Sequence, residues 1–356
     1  MAGILIKNGR VWDGFRFLDA DILTDGEKIA KIAPQIPEDK AAFVHDVAGQ
    51  IVSAGLVDAH VHMRVTPGDE YGIQAEMSCF PFGVTAAADA GRIHGDCAVL
   101  DSFMLKNVVF VSADICDNKV DFGVVEQAIA HFGERVAGIK VYFDHALNGV
   151  SDSTCLKEIC CFAKRHGLPV MVHCSNSPVP MAEILEILNP GDILTHVFHG
   201  GVNTAAEDDF ACIKKAKKKG VVIDAGFAGH VHTDFSILQK AADNGVFPDT
   251  VSTDITKRSA YVRGGRYGMT MGMSMAKHMG MSEEAIFKAV TSTPAAALGK
   301  MEDWGCLKEG GAADIAVLKY GKEGFCLIDR NGNRMESETG YRCVLTIADG
   351  QIIYKD

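Results

Sequence analysis

Two histidines separated by one residue end an apolar run in the first quarter of the chain. The run Ile-Val-Ser-Ala-Gly-Leu-Val-Asp-Ala begins at Ile51 and is followed directly by His60-Val61-His62. Its β-branched apolar residues indicate a buried strand. Side chains two residues apart on a strand point to the same side, so both imidazoles would be available to one metal ion. A His-x-His pair is also common at ordinary strand ends, and the rest of the chain has to decide between these interpretations.

Four further polar side chains interrupt or end apolar runs later in the chain. They are Lys140, His173, His196 and Asp254. Each alone has an ordinary interpretation, such as a hydrogen-bonded core histidine, a lysine with a buried stem or a helix-capping aspartate. The repetition of the pattern argues against coincidence. Histidine and carboxylate ligands with one open position are what a hydrolytic zinc site requires.

The runs that carry these side chains recur at the spacing of one strand–helix unit. Helical apolar spacing separates them, for example over Thr154–His166. Eight such units predict an α/β fold, a closed (β/α)8 TIM barrel, whose chemistry lies at the carboxyl ends of its strands. The predicted strands lie near Leu56–His60, Val84–Ala88, Val108–Ser112, Gly138–Tyr142, Pro169–His173, Ile193–Val197, Val221–Ala225 and Thr250–Asp254.

The two ends of the chain have a different pattern, with short strands and tight turns. Asn8-Gly9, Asp25-Gly26 and Asp349-Gly350 each separate apolar runs, and such pairs favour two-residue hairpins. We therefore expect a small β-sandwich module built from residues 1–54 and 305–356. The barrel, with the candidate metal site, would comprise residues 55–304.

Composition excludes several classes of partner. The formal net charge of -11 disfavours nucleic acid and anionic membranes, and no apolar stretch is long enough to span a bilayer. The 11 cysteines are scattered without paired spacing, and the start of the chain lacks a signal-peptide pattern. These features predict a cytoplasmic protein that acts on a small molecule.

The polar set, in this order, resembles the amidohydrolase superfamily of metal-dependent hydrolases. The matching segments are 54–62, 291–299 and 310–316, together with the four later polar side chains. The resemblance extends over nearly the whole chain and is strongest to the dihydroorotase-like branch, specifically its amidohydrolase/deacetylase metallohydrolases.

The resemblance implies a site for two divalent metal ions, usually zinc. Lys140 would bridge both ions as an N-carboxylated lysine formed with carbon dioxide. This is physically reasonable because an ammonium cannot lie between two dications, whereas a carbamate supplies negative charge and two oxygens. The metal ligands would be His60, His62 and Asp254 for one ion, His173 and His196 for the other, and Lys140 for both.

The implied reaction is hydrolysis of an amide or ester carbonyl in an N-acyl or O-acyl carboxylic acid. A hydroxide that bridges the metals would attack, and Asp254 would act as general acid and base. Arg64 occupies the position at which dihydroorotase-like enzymes bind a substrate carboxylate, and the cationic loop after strand eight also favours an anionic substrate. The candidate substrate-binding residues are Arg64, Tyr142, Asn176, His199, His230 and Arg258.

Three other functions stay open from the sequence. A dihydroorotase-like hydrolysis of a cyclic amide and a purine-type deamination are both known within the superfamily. A barrel that serves only as a non-catalytic scaffold is the third, although the intact ligand set argues against it. The sequence also leaves open whether the chain forms a homo-oligomer.

Overall fold

A computed structural model describes residues 3–64, 71–95, 98–228, 231–261 and 267–356 of the chain. Within these ranges, the first ten strands are β1 (Ile4–Trp12), β2 (Phe17–Asp25), β3 (Lys28–Ala33), β4 (Phe43–Asp46), β5 (Ile51–Ala54), β6 (Leu56–Val61), β7 (Val84–Ile93), β8 (Lys106–Ser112), β9 (Ile115–Cys116) and β10 (Lys119–Val120). The later strands are β11 (Val136–Tyr142), β12 (Val170–His173), β13 (Ile193–Thr195), β14 (Val222–Ile223), β15 (Ile315–Gly321), β16 (Phe325–Ile328), β17 (Arg334–Ser337), β18 (Gly340–Ala348) and β19 (Gln351–Lys355).

The α-helices of the same ranges lie mainly between the barrel strands. They are α1 (Ala75–Cys79), α2 (Phe122–Phe132), α3 (His145–Asn148), α4 (Thr154–His166), α5 (Met181–Ile187), α6 (Ala211–Lys219), α7 (Phe235–Asp243), α8 (Lys257–Tyr261), α9 (Met269–His278), α10 (Glu283–Ala289) and α11 (Ser292–Ala297). Short 3-10 segments occur at Glu38–Lys40, Phe80–Phe82, Ala98–Ser102, Gly133–Arg135 and Ala205–Asp208. No helix in the described part of the chain has the length and apolar character needed to cross a bilayer.

Seven parallel strands form a curved sheet in the order β6-β7-β8-β11-β12-β13-β14. The segment that follows α7 closes it, because Thr250 bridges Asp224 next to β14 and Ile255 bridges Val61 of β6. The backbone N–H of Asp254 also donates to the carbonyl of His60, at 2.7 Å. This confirms the predicted (β/α)8 barrel. Its eighth strand is reduced to bridges, and Asp254 with φ 47° bends the chain out of regular pairing.

The barrel interior is filled by small and large side chains from neighbouring strands. Ala86 and Ala88 of β7 belong to one buried cluster with Phe110 of β8 and Met171 of β12. Helices cover the outside, and α4 shows how the sequence pattern produces this: its buried residues recur at helical spacing, and Gly167 ends it at φ 68°.

Both chain ends contribute to one eight-stranded, mostly antiparallel sheet, which has the order β19-β18-β15-β5-β1-β2-β3, with β4 added beside β1. Its apolar residues fall into two groups. One forms a core within the module, including Ile6, Ile22 and Val317, and the other joins the barrel core, including Trp12 and Leu318. The sheet is therefore packed directly against the barrel and shares part of its hydrophobic core.

The predicted hairpin at Asn8-Gly9 is wrong, because β1 continues through both residues. Asn8 adopts φ 58° inside a bulge, where the pairing of β1 with β2 shifts register. Its N–H donates to the carboxylate of Asp21 at 2.8 Å, and a Cβ at Gly9 would lie 2.7 Å from Val52 Cγ2. The left-handed conformation that suits a tight turn here produces a bulge. The hairpins at Asp25-Gly26 and Asp349-Gly350 are present as predicted.

The hairpin β16–β17 connects the C-terminal part of the chain to the carboxyl rim of the barrel. Its turn supplies three hydrogen bonds to residues 233–235. The N–H of Arg330 donates to the carbonyl of Thr233 at 3.0 Å, and Asp329 accepts from the N–H of Phe235 at 3.1 Å. Asn331 donates to Asp234 at 2.8 Å. A rim segment is thus held by residues that come about a hundred positions later.

Candidate active site

The carboxyl ends of the barrel strands surround one pocket that contains most of the predicted site residues. Because the strands are parallel, their last residues meet on the same rim whatever their separation in the sequence. The pocket is lined by His60, His62, Arg64, Tyr71, Gly72, Asp89, Gly91, Arg92, Tyr142, Leu147, His173, His196, Ala228, Val231, His232, Asp254, Thr256 and Arg258.

His60, His62 and Asp254 form the first group of metal-ligand type. His62 Nε2 lies 2.7 Å and His60 Nε2 3.3 Å from the same oxygen of Asp254, Oδ1. All three side chains offer ligand atoms within 4.8 Å of one another. The two imidazoles do leave β6 on the same side, as the His-x-His spacing predicts.

A chain of hydrogen bonds fixes the orientation of His60. Its Nδ1 lies 3.2 Å from Thr195 Oγ1, and that hydroxyl donates to the carboxylate of Asp224 at 2.7 Å. Thr250 and Ser252 donate to the same carboxylate at 2.6 and 2.7 Å. With Thr195 acting as donor to Asp224, its oxygen accepts from His60 Nδ1–H, which leaves the Nε2 lone pair directed into the site.

Lys140 contacts the first group from beneath the pocket and is not part of the pocket wall. Its Nζ is fully buried and 3.0 Å from His60 Nε2. Burial is the main influence on the ammonium and lowers the pKa of Lys140 to about 8. A lysine in this position therefore exists in part as the neutral amine, which is a nucleophile.

His173, His196 and His232 form a second group, also with ligand atoms within 4.8 Å of one another. His173 donates from Nε2 to the carboxylate of Asp144 at 3.1 Å, and His196 donates from Nδ1 to the carbonyl of Gly226 at 2.7 Å. Each of these two imidazoles keeps its other nitrogen for the site. Outer partners of this kind orient metal-binding histidines.

The titration of the site favours cation binding. Burial lowers the pKa of His60 to about 4, and burial with neighbouring imidazoles holds the pKa of His196 and of His232 well below the ordinary histidine value. Burial would raise the pKa of Asp254, but its contacts with His60 and His62 outweigh that effect and lower it. Neutral imidazoles around an ionised carboxylate are the states in which these side chains bind metal ions.

Among the described residues, three arginines line the pocket wall, namely Arg64, Arg92 and Arg258. Arg92 lies over the ring of Tyr142, with its guanidinium carbon 5.3 Å from the ring centre, and the hydroxyl of Tyr142 donates to the carbonyl of Ala90 at 3.1 Å. Arg258 lies 5.2 Å from the ring centre of Tyr71. Aromatic faces thus support guanidinium groups on the wall of a pocket that is also lined by the carboxylates of Asp89 and Asp254.

Three predicted substrate residues, Arg64, Tyr142 and Arg258, line the pocket. Two others do not belong to its wall. Asn176 donates to Asp144 at 3.0 Å and so supports the carboxylate that orients His173. His199 is fully buried and accepts from the N–H of Gly201 at 3.1 Å. The remaining candidate, His230, lies outside the described residues.

Sequence reasoning missed His232 and Arg92. His232 lies in a loop without apolar periodicity, so no strand pattern marks it. The available signal was the repeat of His-Val-His at 230–232, which has the same spacing as His60-Val61-His62. Arg92 is near the end of β7, a strand that runs five residues beyond its predicted limit.

The family model of the amidohydrolase family matches residues 51–353, which includes both groups and the pocket. The chain belongs to the amidohydrolase family. A deacetylase from Enterococcus faecalis is 30% identical to this amidohydrolase over 98% of each chain. A solved structure described as a dihydroorotase superposes with a TM-score of 0.88 at 25% identity over 100% of both chains, and one described as an adenine deaminase with 0.86 at 27% over 99% of both.

Family membership has direct consequences for this amidohydrolase. It is a metal-dependent hydrolase of the dihydroorotase-like branch that acts on C–N bonds of small molecules. Members of the family bind divalent metal ions, and the two histidine-rich groups beside Asp254 have the donor chemistry for this.

Proposed function

We propose that this amidohydrolase is a deacylase that hydrolyses the amide or ester bond of an N-acyl or O-acyl carboxylic acid. The observation that carries the proposal is the meeting of both histidine groups at Asp254, beneath a pocket wall whose described residues include Arg64, Arg92 and Arg258. The Enterococcus faecalis relative named a deacetylase, which matches over its full length, supports the same class of reaction.

The metal ions proposed for the two groups are zinc. Imidazole nitrogens with carboxylate oxygens suit zinc better than magnesium or calcium, which prefer all-oxygen sites. His60, His62 and Asp254 would hold the first ion, and His173 and His196 the second. When bound, such ions supply an activated water molecule and polarise the substrate carbonyl.

Lys140 is proposed to hold both ions as an N-carboxylated side chain. Its neutral amine would form a bond to the carbon of carbon dioxide and release one proton, leaving a carbamate with two oxygens. Its complete burial and its position 3.0 Å from His60 Nε2 support this, because an ammonium would repel cations bound to the same imidazole.

Asp254 is proposed as the residue that moves the proton. Its Oδ1 is engaged by His60 and His62, while Oδ2 faces His232 at 3.6 Å and His196 at 3.9 Å. Its lowered pKa keeps it ionised at neutral pH, so it can accept a proton from the attacking water and return it to the leaving nitrogen or oxygen.

The substrate carboxylate is proposed to bind to Arg64, with Tyr142 and Arg258 beside it on the pocket wall. A guanidinium can bind a carboxylate through two parallel hydrogen bonds. Asn176 and His199 would then support residues of the site from outside the pocket wall and would not contact the substrate. This arrangement makes the substrate an anion, in contrast to the negative net charge of the whole chain.

The division of the chain into a barrel of residues 55–304 and a composite module of residues 1–54 and 305–356 is also a proposal. The change of strand pairing on the two sides of Gly55 supports this division. Before Gly55, β5 pairs with β1 and β15 of the module, and after it, β6 pairs with β7 of the barrel. A cytoplasmic location is proposed because thiols such as Cys155 and Cys174 are buried free side chains, which suit a reducing compartment.

A hydrolysis panel combined with metal analysis tests the proposed function. The full chain, carrying the metal ions found at purification, would be offered N-acetyl amino acids, acetylated hydroxy acids, dihydroorotate and adenine. We expect about two zinc ions per chain and turnover confined to the acylated acids. Turnover of dihydroorotate or adenine instead would replace the proposal with that activity. Two bound metal ions without turnover of any of these compounds would also contradict it.

A further inference from the structure

His232 is packed against the two histidines assigned to the second metal ion. Its ring centre lies 4.1 Å from that of His196 and 4.9 Å from that of His173. It comes from the loop after the seventh barrel strand and lines the pocket, with 17% of its side chain exposed. Its position is therefore inside the site and not on the protein surface.

The orientation of His232 follows the same rule as that of its two neighbours. Its Nδ1 lies 2.8 Å from Ser175 Oγ, outside the group. Its Nε2 faces inward and is 3.6 Å from Asp254 Oδ2. His173 has Asp144 as its outer partner and His196 has the carbonyl of Gly226. Each of the three imidazoles thus has one nitrogen held by an outer partner, and the three side chains offer ligand atoms within 4.8 Å of one another.

Three neutral imidazoles that face one another are unfavourable without a positive group between them, because their nitrogen lone pairs repel. A packing role would be served better by an apolar side chain of similar size. A cation between them turns the same arrangement into a favourable one, since three histidine nitrogens with an open position are a common zinc set.

The backbone that follows His232 is fixed on both sides. Thr233 bridges His199 and accepts from the N–H of Arg330, and Asp234 accepts from Asn331 of the hairpin turn. A ligand has to be held in place before the ion arrives, and these contacts restrict the loop to the position that the group requires.

We propose that His232 is a third histidine ligand of the second metal ion and that Ser175 orients it. This inference rests on the proposed two-metal function and extends it to a residue on a loop beyond the barrel strands. It makes the second position nitrogen-rich, so that it should bind Zn²⁺ or Co²⁺ in strong preference to Mg²⁺ or Mn²⁺.

Cobalt binding tests the role of His232 without any substrate. The metal-free full chain would be titrated with Co²⁺, with visible absorption and bound cobalt per chain as readouts. We expect two Co²⁺ ions for the wild type and one for His232→Ala, with loss of the absorption bands of the second ion. His131→Ala, at an exposed position on α2, is the matched control and should bind two. Circular dichroism of the metal-free forms would verify folding.

A second variant keeps the imidazole and removes only its support. Ser175→Ala should bind the second Co²⁺ about tenfold more weakly, the effect typical for the loss of an outer partner of a metal-binding histidine. Two ions bound by His232→Ala with wild-type affinity and spectrum would overturn the inference while leaving the two-metal proposal intact. Fewer than two ions in the wild type would instead contradict the proposed function.

Discussion

The two ends of the barrel use charged side chains in opposite ways. At the amino end, Lys106 at the start of β8 is bound by Asp314 and Asp349 of the chain-end module, at 2.5 and 2.7 Å, so that each charge has an opposite partner. At the carboxyl end, Asp254 faces several imidazoles and the amine of Lys140, while Asp144 and Asp224 orient His173 and His60 from outside the groups. The described imidazoles of that end are gathered in two groups whose ligand atoms lie within 4.8 Å of one another, an arrangement that a cation can join.

The difference shows that charged residues at the amino end of this barrel serve mainly the stability of the fold, whereas those at the carboxyl end serve the chemistry of the site. Opposite charges that bind one another within the chain, as at Lys106, contribute to the fold. A group of buried nitrogens is costly until a cation joins it, and binding sites commonly carry such a cost. If this contrast is correct, changes at the carboxyl end should reduce activity more than stability, and changes at the amino end should do the reverse.

The largest effect is expected for Asp254→Asn. The amide keeps the size of the side chain but cannot accept the proton from water, so kcat should fall about a thousandfold. Metal content, measured on the same sample, should stay close to that of the wild type. Asp114→Asn is the control, since this rim carboxylate pairs with His94 outside the pocket wall. A kcat of Asp254→Asn close to that of the wild type would show that Asp254 is not the residue that transfers the proton.

Lys140→Ala is expected to have the next largest effect. Loss of the proposed carbamate should reduce metal affinity and lower kcat/KM roughly a hundredfold. A short carboxylate such as acetate, which supplies two oxygens, should restore part of the activity and of the metal content. Acetate added to the wild type provides the control. Unchanged metal content in Lys140→Ala would show that this lysine does not hold the ions.

Lys106→Met should destabilise the protein without affecting catalysis. It leaves the buried carboxylate of Asp314 without its cation, at a cost of about 1–3 kcal/mol in the free energy of unfolding. Denaturant unfolding and kcat of the same variant would establish both parts. Lys215→Met is the control, because that lysine forms an exposed pair with Glu186 and should change stability by less than about 0.5 kcal/mol.

The same salt bridge gives the amino end a defined pH dependence. Burial lowers the pKa of Lys106, but Asp314 and Asp349 outweigh it and raise this pKa above the ordinary lysine value. A raised pKa stabilises the fold below the unfolded-state pKa, and this contribution is lost as the pH rises through the folded-state value. The stability difference between wild type and Lys106→Met should therefore be constant near neutral pH and shrink in strongly alkaline solution. A difference that grows there would contradict the assignment.

The smallest effect is expected for Arg64→Met on the pocket wall. It should raise KM about tenfold for acylated acids and leave kcat nearly unchanged, because binding of a distant carboxylate contributes equally to ground and transition states. The corresponding methyl esters are the control substrates and should bind equally well to both proteins. An equal increase in KM for acids and esters would exclude a carboxylate role.

The barrel and its inner residues follow from sequence because the relevant signals are local. Each strand is an apolar run, and a histidine, lysine or aspartate at its end stands out against that background. The rim then follows from the fold, since parallel strands place all their carboxyl ends together. This explains why Lys140 and Asp254 could be assigned to one site although 114 positions separate them.

The parts that the sequence did not reveal depend on contacts between distant segments. Asn8 occupies a bulge because Asp21 of β2 binds its N–H, and no local feature distinguishes that bulge from a hairpin turn. His232 is held by Ser175 and the residues that follow it are held by the β16–β17 turn, neither of which is close in the sequence. Loop residues have no periodic pattern, so only the folded chain shows which of them face the pocket.

The hairpin β16–β17 also affects the order in which the protein can be completed during its synthesis. The barrel strands are all translated before Asp329, Arg330 and Asn331, which hold the segment after His232. These three hydrogen bonds can therefore form only after every barrel strand has been translated. The segment that follows His232 therefore reaches its final contacts only through residues that are synthesised after the barrel strands.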